Sequence, residues 1–211
     1  MRLSQIDASN IDDHYYLNCD DECYYFFEYT SRRDFSFSRA NSIISNLKKK
    51  PSNSGRGDYK YKIQAINEVT QMFCGALNQN WLAGATLVPV PGSKADGHPD
   101  YDDRIGQICR GLGENLDVRD LVIQSESTTA SHEAPNGERV TIEELERIYR
   151  IDETLAQPEP STIAIFDDVL TAGTHYSAMK STLLRRFPNV NIKGFFVARR
   201  VFPDESSVEF L

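Results

Sequence analysis

Two kinds of hydrophobic pattern succeed one another along the chain. Up to about residue 57 the apolar positions come as aromatic runs. Residues 14–18 and 23–30 are separated by the acidic turn Asp20-Asp21-Glu22, an arrangement that predicts a hairpin. Tyr24-Tyr25-Phe26-Phe27-Glu28-Tyr29 carries aromatics on both faces of a strand, so other structure should cover part of it. Ser38 is placed to cap a short helix over residues 39–47. The stretch 48–57 that follows reads as a loop, and its triplet Lys48-Lys49-Lys50 as a solvated helix end.

From about Asp58 the period changes. Ile63, Ile66, Val69, Phe73, Ala76 and Leu77 fall three and four apart on one helical face. Residues 85–91 read as a buried strand ending in Pro89-Val90-Pro91-Gly92. A helix over 102–112 follows, with Ile105, Ile108, Cys109 and Leu112 on one side. Strands are then expected at 118–123, 162–166 and 192–198, and helices at 142–151 and 175–186. Thr141 with Glu144 offers a capping box to the first of these helices. Alternation of this kind implies an α/β fold with a mainly parallel sheet and helices on both faces. The expected organisation is an N-terminal β-rich hood or interaction region, 1–57, joined to an α/β core, 58–211.

Charge narrows the function classes. There are 23 Lys+Arg against 31 Asp+Glu, a formal charge of −8. That balance argues against broad binding of nucleic acid or an anionic membrane. A small anionic ligand in one local site remains compatible with it. No stretch approaches the roughly 18 uncharged apolar residues of a membrane helix. The first 22 residues lack the apolar core of a secretory signal, so a cytoplasmic protein is expected. Cys19 and Cys23 lie near His14, but the spacing is not that of a zinc knuckle and no second ligand pair follows. Cys74 and Cys109 fall inside apolar helical patterns and read as core residues.

The stretch from Thr162 to Thr174 carries the chemistry. An apolar strand, Thr162-Ile163-Ala164-Ile165-Phe166, runs into two adjacent carboxylates, Asp167 and Asp168. Val169-Leu170 and the small-residue turn Thr171-Ala172-Gly173-Thr174 then open a helix at His175. Such a turn leaves backbone N–H groups at the positive end of a helix, a ready site for phosphate. Carboxylates repel phosphate and are better used accepting hydrogen bonds from sugar hydroxyls, or holding Mg2+ through its waters. Ribose 5-phosphate has both kinds of group a few ångströms apart.

This run resembles the phosphoribosyl-pyrophosphate (PRPP) signature of the type I phosphoribosyltransferases. It is closest to the form seen in orotate-type and ComF-like proteins. The resemblance covers roughly residues 85–201 and implies a Rossmann-like central sheet with flanking helices. It implies that Asp167 and Asp168 bind the ribose 2- and 3-hydroxyls, with Mg2+ as cofactor. Thr171, Ala172, Gly173, Thr174 and His175 would wrap the 5-phosphate. Gly92, Ser93 and Lys94 fall where the family has its pyrophosphate loop. Arg104 is similar to an arginine found near this point in ComF-like proteins, and reads equally well as a second phosphate contact or a helix-start salt bridge. Residues 125–139 occupy the place of the catalytic loop, so Lys94, His132 and Arg139 are the candidate catalytic residues. That loop lacks the Lys-Asp-His-Gly-rich pattern of orotate enzymes, and Thr171 stands where purine salvage enzymes carry an aspartate. Val197-Ala198-Arg199-Arg200 resembles the strand close of ComF-like proteins. The implied activity is transfer of the phosphoribosyl group to a nitrogenous acceptor; the rival is a non-catalytic PRPP or nucleotide sensor, regulator or assembly subunit. Tyr15, Tyr16, Tyr24, Tyr25, Phe26, Phe27 and Tyr29 offer a stacking platform, a plain core, or an interface with a partner protein or a second copy.

Overall fold

A computed structural model describes residues 1–127 and 140–203. In chain order the elements are β1 (Ser4–Gln5), β2 (Glu22–Thr30), α1 (Arg39–Leu47), α2 (Lys60–Ala76), α3 (Gln79–Leu82), β3 (Thr86–Pro89), α4 (Arg104–Arg110), β4 (Asp117–Val118), β5 (Val122–Gln124), α5 (Ile142–Ile148), β6 (Tyr149–Ile151), β7 (Thr162–Leu170), α6 (Thr174–Arg186) and β8 (Asn191–Val201). Six strands form one mixed sheet in the order β1-β2-β8-β7-β3-β4, while β5 and β6 make a separate antiparallel pair. Only β1 runs antiparallel in the larger sheet. The architecture is therefore α/β with a mostly parallel sheet, compatible with a Rossmann-like fold.

The sheet is buried on both faces because successive residues of its central strands are apolar. From β7, Ile163 and Ile165 face a cluster holding Val88, Tyr149, Tyr176, Met179 and Leu183. Ala164 and Phe166 face the opposite cluster, with Phe26, Ile44, Leu47, Val69, Phe73 and Ile108. Helices α1, α2 and α4 thus cover one face, and α5 and α6 the other. Phe73 meets Phe166 edge-on, with ring centroids 5.2 Å apart, and Phe166 stacks on Phe195 at the same separation.

Two helix starts follow the sequence closely. Ser38 accepts from the Asn41 N–H at the head of α1, and Thr141 and Glu144 complete a capping box on α5. Other expectations are corrected. There is no hairpin between residues 14–18 and 23–30: Ile11–Asp13 is a 3-10 turn. The antiparallel partner of β2 is β1, and its long partner is β8, in register from Glu22↔Lys193 to Thr30↔Val201. Residues 1–57 thus contribute strands and a helix to the same sheet and core as the rest. The single strand expected at 118–123 is split: Asp117–Val118 pairs with β3, where the Arg119 N–H adds a bond to the Leu87 carbonyl (3.0 Å), and Val122–Gln124 pairs with β6 instead. The helix expected over 142–151 stops at Ile148, and Tyr149–Ile151 pairs with β5. On α2 the buried face includes Lys62, whereas Ile63 is exposed. Cys109 is buried, and Cys74 only partly so. Among the described residues no helix is long and apolar enough to cross a membrane.

Candidate functional site

The order of strands creates the site. From β3 the chain moves outward to β4 and then returns to place β7 on the other side of β3. The helix after β3, α4, lies on one face, and the helix after β7, α6, on the other. A crevice opens between such diverging connections at the carboxyl ends of the strands. Strand β3 ends at Pro89, opposite Phe166, and Val90 N–H adds one more bond to the Phe166 carbonyl (2.9 Å). Strand β7 was expected to end at Phe166 but continues to Leu170, paired now only with β8. Asp167 and Asp168 therefore sit within a strand, where its β3 neighbour has stopped.

The cleft there measures about 380 Å³. Among the described residues, six basic side chains line it (Arg32, Lys48, Lys50, Lys94, Arg104 and Arg200) against four acids, Asp100, Asp102, Asp167 and Asp168. In a chain of charge −8 the cleft is locally basic. At one end lie Gly92, Ser93 and Lys94; a Cβ on Gly92 would come within 3.0 Å of the Asp102 carbonyl oxygen, so only glycine lets the two segments approach.

At the other end is the turn between β7 and α6. Gly173 has φ +91°, a left-handed conformation, and caps a helix of 13 residues. The first N–H groups of α6 have no partner within the helix, and its dipole adds positive potential. The carbonyls of the turn are held from behind. His14 Nδ1 donates to the Thr171 carbonyl, and the Tyr16 N–H donates to the Ala172 carbonyl (2.8 Å). Because these peptides are trans, the N–H groups of Ala172 and Gly173 point away from residues 14–16, none of which lines the cleft. Ser177 Oγ ties the same segment to α6 through the Tyr16 carbonyl (2.8 Å).

Charges occupy the middle. Arg104 reaches Asp168 Oδ2 through Nη2 (2.6 Å) and Nε (3.1 Å), and Asp102 through Nη1 (2.8 Å). Lys48 stands 3.3 Å from Asp168 Oδ1. The buried Lys62 ammonium binds Asp102 (2.7 Å) and the carbonyls of Leu47 (2.6 Å) and Lys49 (2.9 Å), which fixes the basic loop against the cleft. Burial works against the ionised form of Asp168, yet Lys48 and Arg104 hold its carboxyl well below the usual range. Asp167 goes the other way, pushed up to about 7 by burial and by the Asp168 charge, although it accepts the Asp168 N–H (2.7 Å). Burial lowers His175 to about 4, so it is neutral near pH 7, and its Nδ1 lies 2.9 Å from the Tyr149 hydroxyl.

The fold brings most of the sequence-predicted residues to this one cleft: Gly92, Ser93, Lys94, Arg104, Asp167, Asp168, Thr171, Ala172, Thr174 and His175 line it. Gly173 shapes the turn without lining the cavity. His132 and Arg139 lie outside the described residues. Arg104 makes the salt bridge expected with Asp102 at the helix start and a second one with Asp168, while its side chain also lines the cleft. Lys48, which read as a solvated helix end, instead faces Asp168. Tyr29, Ser31, Arg32 and Arg200 also line the cleft; Tyr29 belongs to the aromatic run and Arg200 to the strand close already singled out, whereas no motif marks Ser31 or Arg32. Among the N-terminal aromatics, Tyr25 and Phe26 are core, Tyr29 lines the cleft, and Tyr15 is exposed.

The donor set suits a magnesium ion only in part. Both oxygens of Asp168 already face cations, and no cluster of three His, Cys, Asp or Glu side chains fit for a metal occurs among the described residues. Asp167, with one oxygen bonded to a backbone N–H, keeps the other for a hydrated ion arriving with a phosphorylated ligand. A scan of protein-family models and a search of curated proteins both find no match to this chain, so the reading of the site rests on its residues and their geometry.

Proposed function

We propose that the chain is a type I phosphoribosyltransferase-like protein that binds PRPP in this cleft. It transfers the 5-phosphoribosyl group to a nitrogenous acceptor and releases pyrophosphate. The observation that carries this reading is the turn at residues 171–175, whose Thr171 and Ala172 carbonyls are tied back while Thr171, Ala172, Thr174 and His175 line the cleft at a helix N-terminus beside two carboxylates. The 5-phosphate is assigned to that turn and the ribose hydroxyls to Asp167. Gly92, Ser93 and Lys94 are assigned to the pyrophosphate.

In the reaction, the bond from ribose C1 to pyrophosphate oxygen breaks and its electron pair leaves with pyrophosphate. The acceptor nitrogen supplies the pair for the new bond to C1 and then loses a proton to solvent. Mg2+, carried by the pyrophosphate, would supply positive charge to the leaving group. The protein's part is to hold the sugar by its phosphate and hydroxyls so that C1 faces the acceptor, and to oppose the developing charge with Lys94. A second reading, a PRPP or nucleotide sensor, is favoured by one observation: Arg104 is already paired with both Asp102 and Asp168.

Two measurements test the proposal. Calorimetry with Mg2+ and PRPP should show binding that falls about tenfold or more in the double variant Asp167→Asn, Asp168→Asn; unchanged affinity would remove the site assignment. Pyrophosphate release in the presence of a panel of bases and amines then separates transferase from sensor. Release that depends on an acceptor supports the enzyme, and tight PRPP binding without it supports the sensor.

A further inference from the structure

We infer that His14 is a positioning residue for the phosphate-binding turn, which it holds in its anion-accepting orientation from the side opposite the cleft. This rests on the reading of the turn at 171–175 as the phosphate site, and extends that site to a segment 157 residues earlier in the chain.

A short turn before a helix can rotate its peptide planes at little cost, exposing either carbonyls or N–H groups to a neighbouring cleft. Here the Thr171 carbonyl is fixed by His14 Nδ1–H and the next one, of Ala172, by the Tyr16 N–H. With both carbonyls held by residues 14 and 16, the N–H groups of Ala172 and Gly173 are turned away from that segment, and Ala172 lines the cleft. Asp or Glu at position 14 would offer the carbonyl no donor; an imidazole held neutral by burial offers one without bringing a charge.

The segment that carries His14 is itself anchored. Asp13 accepts from Arg199 (2.7 Å), Asp21 from Lys180 (2.5 Å), and Leu17 packs within 3.2 Å of where a Cβ on Gly173 would stand. His14 is fully buried, and its Nε2 has no hydrogen-bond partner, so burying this ring leaves a polar atom unsatisfied. A plain core position would be better filled by leucine. What the ring supplies in return is the single Nδ1–H to Thr171.

The test uses the full chain and three variants. His14→Asn places an amide N–H close to the position of Nδ1, His14→Gln places it near Nε2, and His14→Leu removes it. Titration with ribose 5-phosphate is paired with amide exchange of the turn measured without ligand. His14→Leu and His14→Gln should weaken ribose 5-phosphate binding by about tenfold and speed exchange at residues 172–176 by a similar factor, with α2 unchanged. His14→Asn should stay within about threefold of the parent in both. Should His14→Leu fail to fold, the contrast between Asn and Gln still decides. Equal behaviour of Asn and Gln, or exchange in the turn that no variant alters, overturns the role of His14. A parent chain that binds no ribose 5-phosphate overturns the proposed function instead, while the exchange data continue to judge whether His14 holds the turn.

Discussion

The two halves of the cleft are built on opposite principles. The turn proposed to bind phosphate is made of backbone groups whose carbonyls are held by His14 and Tyr16, with the N–H groups of Ala172 and Gly173 turned away from those two residues. The charged half is made of side chains that satisfy one another: Lys62 with Asp102, Asp102 with Arg104, and Arg104 and Lys48 with Asp168. A ligand meets the first half ready to receive it, whereas in the second it must share or displace partners already present. Preorganised donors avoid reorganisation at the moment of binding, and self-paired charges do not. The turn should therefore set affinity, and the charged cluster should set stability and selectivity.

Substitutions can break this contrast. The largest effect is expected for Asp168→Ala, which leaves Arg104 and Lys48 facing each other in a partly buried site; stability to urea should fall by about 3 kcal/mol. A loss below about 1 kcal/mol would mean that the cluster is as weakly coupled as an exposed ion pair. Next is Gly173→Ala. It forces a Cβ into a left-handed position at φ +91°, 3.2 Å from Leu17, and should cost about 1–2 kcal/mol in thermal unfolding. It should also weaken ribose 5-phosphate binding, whereas Asp168→Ala should affect that phosphate contact less.

A smaller effect sharpens the asymmetry within the acidic pair. Asp167 is raised from an unfolded value near 3.8 to about 7, so between those values the folded chain binds more protons than the unfolded one. Stability contributed by this group is thus lost as pH rises through that window. Asp167→Asn removes the penalty, so in metal-free buffer its stability relative to the parent should improve from about pH 5 to about pH 8. A constant difference across that range would show that Asp167 titrates as an ordinary carboxylate.

The parts of the fold that follow local periodicity were legible in the sequence. The stripe on α6, the apolar run of β7 and the caps at Ser38 and Thr141 each depend on residues within a few positions of one another. So was the turn between β7 and α6, because its Thr-Ala-Gly-Thr run is contiguous in the sequence. What could not be read was decided across the chain. Lys48 looks like any lysine after a helix until α1 is laid beside β7. Lys62 falls at a helical position that charge alone would place in solvent, yet three oxygens gather around its ammonium. His14 gained significance only once β2 was found alongside β8, since the hairpin expected from the aromatic spacing would have taken it elsewhere.

That pairing of β2 with β8 also bears on how the molecule reaches its folded state. Partners separated by 171 positions are joined along a whole strand. Contacts of such span close the longest loops, are entropically expensive to nucleate and slow the folding of domains that depend on them. During synthesis the aromatic strand β2 has to wait until residues 191–201 have been made before its parallel neighbour exists. It spends that interval as an apolar strand whose longest ladder is still missing, a state open to wrong partners. The same event that ends this exposure brings residues 14–17 against the turn, so the proposed phosphate site becomes complete only when β2 and β8 meet.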